Sequence, residues 1–338
     1  MTHAEGPAPV CWCLTEGHAG MESQTIGLAE ALGVAPIVQR VRLRFPWTHI
    51  PPRLALPPLN ACKPGSDAPA PPWPDLLITC GRRSVGLSMR IRRNSAGRTV
   101  TVHIQDPLVP ADSFDLIAVP EHDRLRGPNV MVTRAAIHRV TAEKMAASAA
   151  RLAPTLAHLP RPLVAVLVGG SNRRYRLTPQ RVTEICRDLA QAVRDTGAGL
   201  AVTPSRRTGA ENESALRAGL AGLPAYIWDG EGENPYLGLL GLADAIVVTA
   251  DSVSMVSEAL ATGKPVHVIE CEGLSRRFDA FHTGLQAAGL TRPFRGRLED
   301  WRYEPPDDTR IIAQEIARRL SARTQGGKGW PAPGPIGL

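Results

Sequence analysis

The chain has 338 residues, room for two domains of ordinary size, and 43% of them are hydrophobic, enough for sizeable cores and against wholesale disorder. No run reaches the roughly 18 apolar residues of a membrane-spanning helix. Residues 1–9 lack the basic start and apolar core of a secretory signal. The net charge is +7; nucleic acid is one explanation, but only 4% of residues are aromatic and no nucleic-acid motif is visible, and an anionic membrane surface or a phosphorylated substrate explains the charge as well.

The first half alternates short apolar runs with helical stretches. Val10–Leu14 reads as a strand, followed by the polar loop from Thr15 to Gly20 and a helix over Gln24–Leu32. Further strands are expected at Ile37–Val41, Leu76–Thr79, Val100–Ile104 and Leu116–Val119, with a helix starting near Ser84. The proline-rich stretches 45–58 and 68–74 cannot be central strands and are expected on the surface. Residues 141–160 are helical, end in prolines and mark the domain boundary.

A second alternation begins at the strand Leu163–Val168 and enters Gly169-Gly-Ser-Asn-Arg-Arg174. Thr178 caps a helix with Pro179 at its first position, and Val182, Ile185, Leu189 and Val193 form its buried stripe. Strands follow at Gly199–Thr203 and Ala225–Trp228. The run from Ala245 to Ile269 then reads as buried strand, tight turn, helix, glycine stop and buried strand. A last helix is expected over 309–320, and the Gly- and Pro-rich tail 324–338 is expected to be mobile. The pattern predicts an α/β chain of two Rossmann-like, doubly wound domains facing a central cleft. The expected bounds are 1–155 for the first domain and 156–323 for the second.

The six cysteines, at 11, 13, 62, 80, 186 and 271, show no C-x-x-C spacing. Cys11 and Cys13 alternate with Trp12 and should face one core. A disulfide framework or zinc site is not expected, and a reducing cytoplasm fits.

Ligands in doubly wound sheets sit outside the carboxyl ends of the strands, so the loops there are the candidates. Asp251 or Ser252 can cap the helix after the strand at 245, whose free N–H groups suit an anion. Glu258 lies with Ser254 off the apolar stripe of Val253, Val256 and Leu260, where a carboxylate can accept hydrogen bonds from the paired hydroxyls of a sugar. One cap would serve a purely structural helix; Thr249, Asp251, Ser252, Ser254, Ser257 and Glu258 exceed that need. Gly169, Gly170 and Ser171 let a backbone approach phosphate, while Ser205, Arg206, Arg207 and Thr208 supply donors after another strand. A plain turn and a solvated charge pair are the bland alternatives for these two loops. Asn234 and Tyr236 lie in a polar loop, where the tyrosine either stacks on a base or fills the core.

In the first half, Glu16, Gly17, His18, Gly20 and Gln24 follow the first strand, and His18 is a candidate base. Glu121, His122 and Asp123 end another strand and can orient a base or a hydroxyl substrate; a metal site lacks further ligands. Arg40, Arg42 and Arg44 alternate with Val41, Leu43 and Phe45. They present either an ordinary solvated edge or, with Phe45, Trp47 and Ile50, a membrane-contacting face.

These residues resemble the mitochondrial fission (elongated mitochondria) family and its bacterial homologues over nearly the whole chain. The resemblance is carried by Trp12–Gln24 with Gly27-Leu28, Gly81-Arg-Arg83, His103-Ile-Gln-Asp-Pro107 and Pro120-Glu-His-Asp123. It continues through Gly169-Gly-Ser171, Ser205-Arg-Arg-Thr208, Asn234-Pro-Tyr236 and Asp251-Ser-Val-Ser-Met-Val-Ser-Glu258, Met255 included. It implies a glycosyltransferase-B-like fold. The architecture is also similar to the lipid-carrier GlcNAc transferase of peptidoglycan synthesis and to lipid A disaccharide synthase, whose ribose-binding glutamate resembles Glu258. Where those enzymes carry Gly-Gly-His after the first strand, this chain carries His-Ala-Gly.

The resulting expectation is a metal-independent glycosyltransferase without cofactor, using a nucleotide-diphosphate sugar of the uridine type. The acceptor is soluble or lipid-linked, and the protein cytoplasmic or peripheral on the inner membrane face. Glu16, His18 and His122 are the catalytic candidates. A nucleotide-sugar epimerase and a non-catalytic adaptor keeping the fold are the alternatives.

Overall fold

The computed structural model describes residues 9–273 and 275–323, which divide into two compact units. One runs to Arg139 and resumes at Asp307; the other is Val140–Pro306. The expected tail 324–338 lies outside the described residues.

The first unit contains β1 (Cys11–Thr15), α1 (Ala19–Ala31), β2 (Pro36–Arg40), β3 (Leu76–Cys80), α2 (Ser84–Asn94), β4 (Val100–Ile104), β5 (Leu116–Pro120) and β6 (Val130–Thr133). The six strands form one parallel sheet in the order β2-β1-β3-β4-β5-β6. Side chains alternate across a strand, and the two faces build separate cores. Cys11 and Cys13 pack with Leu28 of α1 and with Leu32 just after it, as their shared face predicted. Trp12 and Leu14 pack with Leu87 and Ile91 of α2 on the other. β1, β3 and β4 are buried throughout, as expected of parallel strands covered on both faces.

The second unit contains α3 (Ala142–Leu156), β7 (Leu163–Val168), β8 (Tyr175–Arg176), α4 (Pro179–Thr196), β9 (Gly199–Pro204), α5 (Ala210–Gly219) and β10 (Ala225–Ile227). It continues with α6 (Tyr236–Leu242), β11 (Ala245–Thr249), α7 (Val253–Leu260), β12 (Val266–Ile269), β13 (Glu272–Gly273), α8 (Arg276–Ala287) and β14 (Arg292–Pro293). Its main sheet runs β10-β9-β7-β11-β12-β14, all parallel, and β8 pairs with β13 as a separate ribbon. The Thr178 hydroxyl accepts the Arg181 N–H to start α4, Pro179 follows, and Gly197 ends the helix at φ +71°. Val182, Ile185, Leu189 and Val193 are all buried, as their spacing predicted.

Two differences from the sequence reading concern bounds. α1 begins at Ala19, so Gly20 sits in its first turn rather than in a loop. The division falls at 139/140 rather than 155/156, because α3 packs on α6 inside the second unit. A Cβ on Gly238 would lie 2.8 Å from Leu152 Cδ2, and one on Gly241 2.9 Å from Ala149 Cβ, so glycine permits the approach. The last helix, α9 (Asp308–Arg323), returns to the first unit. Ile312, Ala313, Ile316 and Leu320 join the core under α1, and Asp308 accepts the Arg134 and Ala135 N–H groups at 3.1 and 2.9 Å.

Candidate functional site

Each sheet reverses direction once: between β1 and β3 in the first unit and between β7 and β11 in the second. The loops leaving these strands are where a doubly wound sheet opens a crevice for a ligand.

At the second switch point the loops after β7, β9 and β11 are joined by one hydrogen-bonded cluster. The Gly169 N–H donates to Thr249 Oγ1 at 2.8 Å, and Thr249 donates to Asp251 Oδ1 at 2.6 Å. Asp251 Oδ2 accepts the Gly170 N–H at 3.0 Å and pairs with Arg207 Nη1 at 2.8 Å. Arg207 also donates to the Gly170 carbonyl at 3.2 Å, and the buried Thr208 hydroxyl donates to the Gly169 carbonyl. The Asp251 side chain is only 2% exposed while Arg207 reaches solvent, so the carboxylate acts as a buried peg that aims a cation outward. This explains both glycines. A Cβ on Gly169 would stand 2.1 Å from Asp251 Oδ1, and one on Gly170 1.9 Å from the Arg207 carbonyl oxygen.

The two glycine amides are therefore directed at Thr249 and Asp251, which leaves the arginines and the start of α7 as the groups at this point able to meet an anion. Ser252, not Asp251, caps that helix, accepting the Met255 N–H at 3.3 Å. Arg206 is exposed and makes no ion pair among the described residues. Several expected ligand groups serve the frame instead. Ser171 Oγ accepts the Leu177 N–H, Ser205 Oγ accepts the Arg207 N–H, and Asn234 Oδ1 accepts the Tyr236 N–H that opens α6. Met255 packs on the apolar core and Ser257 donates to Val253 O. Ser254 stays half-buried on the face of α7 that the stripe predicted.

Glu258 is half-buried, and its Oε2 accepts the Tyr236 hydroxyl at 2.6 Å. Burial, reinforced by the Glu258 carboxylate, pushes the Tyr236 phenol well up, so it remains a donor. Of the two sequence readings the structure carries the core one: the Tyr236 ring packs against the core, and its hydroxyl fixes the carboxylate.

The first switch point is built more loosely. Glu16, after β1, accepts the Arg83 N–H at 3.2 Å and lies 3.4 Å from Arg83 Nη1, after β3. His18, whose side chain is 68% exposed, lies 3.7 Å from Glu16 through Nε2. Gly17 adopts φ +85° with no atom closer than 3.8 Å to a Cβ, so conformation rather than space requires glycine. Gln24 is buried and its amide donates to Gly20 O within the helix at 3.2 Å. His122 and Asp123 form a second pair at 4.0 Å, and Glu121 is exposed beside them. The strands leading to His18 and His122, β1 and β5, stand three places apart in the sheet, about 14 Å. His18 and Glu16 are brought together; His122 is not brought to them. Gln105, not singled out as a site residue from sequence, ends β4 in a left-handed conformation at φ 85°, a state that costs a non-glycine residue about 1–2 kcal/mol. Among the described residues no three His, Cys, Asp or Glu side chains are grouped to hold a metal ion.

A family model described as Mitochondrial fission ELM1 matches residues 19–320. The chain is 31% identical over 284 residues to the Mitochondrial fission protein ELM1 of Arabidopsis thaliana, covering 76% of this chain. That match takes in 65% of the Arabidopsis protein, so the chain spans a little less than two thirds of that relative's length. Among solved structures, the UDP-GlcNAc 2-epimerase from Methanocaldococcus jannaschii superposes with a TM-score of 0.53 at 11% identity, covering 93% of this chain and 100% of that one. The S. aureus MnaA–UDP co-structure gives 0.50 at 12%, covering 96% and 100%. At these identities the likeness is one of fold: an α/β, glycosyltransferase-B-like chain of two parallel-sheet domains.

Proposed function

The chain belongs to the mitochondrial fission ELM1 family, and from that premise we propose that it is a metal-independent glycosyltransferase using a uridine-diphosphate sugar. One arrangement carries the reading: the Arg206–Arg207 loop and the capped start of α7 at the second switch point, with Glu258 fixed by Tyr236 further along the same helix. Six residues separate the Ser252 cap from Glu258, about 9 Å along the axis. Arg206, Arg207 and the α7 N–H groups would hold the diphosphate, and Glu258 would accept hydrogen bonds from the ribose hydroxyls.

In the reaction an acceptor hydroxyl attacks the anomeric carbon of the sugar. The bond from that carbon to the diphosphate oxygen breaks, its electron pair stays on the diphosphate, and the hydroxyl proton passes to a base. The fixed guanidinium of Arg207 and the helix start stabilise the charge that develops on the leaving diphosphate. The first unit would take the acceptor, lipid-linked in this reading, with His18 as base and Glu16 stabilising its imidazolium.

The test is release of free UDP from UDP-sugars, with and without candidate lipid-linked and soluble acceptors. Acceptor-dependent release supports the transferase. Interconversion of the sugar without release would indicate an epimerase, and absence of both turnover and UDP binding would indicate an adaptor that only keeps the fold.

A further inference from the structure

The segment from Val41 to Ser66 carries Arg42, Arg44, His49, Arg53 and Lys63 and not one Asp or Glu. Its backbone is pinned. Leu43 bridges Cys62, the Arg44 N–H donates to Ala61 O at 2.8 Å, and the Lys63 N–H donates to Arg42 O at 2.7 Å, which sets Lys63 beside Arg42. Val41 and Leu43 point into the core, so Arg42 and Arg44 point out. Arg44, Arg53 and Lys63 form no ion pair among the described residues, whereas Arg40, just before the segment, is held by Glu22 at 2.6 Å.

Two tight turns follow, closed by His49 N to Pro46 O and Leu54 N to Pro51 O, both 2.9 Å. Trp47 packs against the cluster of Trp12, Leu14 and Leu87, so it anchors the loop from beneath rather than facing solvent. Arg90 of α2 clamps the far side, donating to Leu56 O at 2.9 Å and Pro57 O at 3.3 Å. On this fixed loop Phe45 is 78% exposed and Leu54 74%. Scattered exposed apolar residues need no explanation. Here the two most exposed large hydrophobic side chains among the described residues share one acid-free, basic segment.

We propose that this loop docks the protein on an anionic lipid bilayer, with Phe45 and Leu54 entering the headgroup region and Arg42, Arg44, Arg53 and Lys63 meeting lipid phosphates. The pairing of exposed apolar tips with uncompensated cations is the chemistry of such an interface. Compared with the surface expected from sequence, Leu54 takes the place of Trp47. The inference is independent of what the second unit binds.

The test is co-sedimentation of the full chain with phosphatidylcholine vesicles, with and without phosphatidylglycerol, at low and high salt. The protein is expected to follow the phosphatidylglycerol vesicles at low salt and to leave them at high salt. Arg44→Gln and Arg53→Gln should each weaken partitioning about fivefold, the factor for the ~1 kcal/mol of one basic residue near such a surface. Phe45→Ser with Leu54→Ser should release the protein while leaving its circular dichroism and melting unchanged, since both side chains face solvent. Failure of the wild type to bind phosphatidylglycerol vesicles at low salt, as for a loop that meets an acidic protein instead, would overturn the proposal. So would undiminished binding by the Phe45/Leu54 variant.

Discussion

The loops after β1 and β7 occupy the same place in their sheets, each leaving the strand beside which the order reverses, yet they use glycine and carboxylate differently. In the first unit Gly17 supplies a left-handed turn with open space around it, and Glu16 gathers Arg83 and an exposed His18. In the second, Gly169 and Gly170 supply room for a buried carboxylate and a neighbouring backbone, and Asp251 fixes three loops at once. The first arrangement can readjust around whatever it meets. The second is held from several sides, so Arg207 is a fixed donor, of the kind that would not have to reorganise if a charge developed beside it, as the proposed reaction requires.

The contrast breaks first at Gly170. Gly170→Ala should destabilise the second unit by more than ~3 kcal/mol, beyond the usual overpacking range, because the obstacle at 1.9 Å is backbone. Denaturant unfolding followed in that unit measures this; a loss under ~1 kcal/mol, the scale of a surface change, would show that the loops are not tightly joined.

Asp251→Ala should cost about 3 kcal/mol, the low end for breaking a buried pair, since Arg207 is partly in water. The equivalent change in the first unit, Glu16→Ala, should cost ~1 kcal/mol or less, because its partners are exposed. Equal losses in urea titrations would erase the distinction between the two switch points.

Both units should weaken in acid. Burial pushes His103 of β4 down to about 3 and His267 of β12 down to about 4. Unfolded imidazole takes a proton below about 6.5 while the folded one resists until those lower values, so stability falls as pH drops through that window. Each histidine should remove about 2 kcal/mol between pH 7 and pH 5. Melting His103→Asn and His267→Asn across that range should show a flatter slope than wild type; an unchanged slope would place the titration elsewhere.

Of the two switch-point glycines, the smaller effect is expected at Gly17. Gly17→Ala should cost ~1–2 kcal/mol through its backbone conformation alone, with the first unit's fold retained. A melting loss as large as that of Gly170→Ala would contradict the open space seen around it.

The local grammar of the second unit was largely readable. Thr178-Pro179 announced the start of α4, the apolar runs at 163–168 and 245–248 announced β7 and β11, and Ser252 was one of two expected caps. What depended on distant packing was not. β6 is a short, half-buried edge strand whose Val130–Thr133 lacks a clear pattern. α8 opens with two arginines before Phe281 and Leu285 reach the core, and it passed without notice. The helical stretch at 141–160 was legible but not which sheet it serves, and nothing near Asp308 signalled that α9 returns to the first unit. The candidate site divides the same way. Glu258 stood off the apolar stripe of its own helix and was legible. Its hold by Tyr236 and the Asp251 peg arise from residues far apart in sequence.

The proposed function requires that the second switch point bind a nucleoside diphosphate through Arg206, Arg207 and Glu258. Calorimetry of UDP against uridine tests it most directly. UDP should bind at least tenfold more tightly, a difference of ~1.4 kcal/mol or more. Arg206→Gln with Arg207→Gln should shrink that gap, and Glu258→Ala should weaken UDP binding by about 1.5–3 kcal/mol. Equal affinity of the wild type for uridine and UDP would rule out diphosphate binding by these arginines.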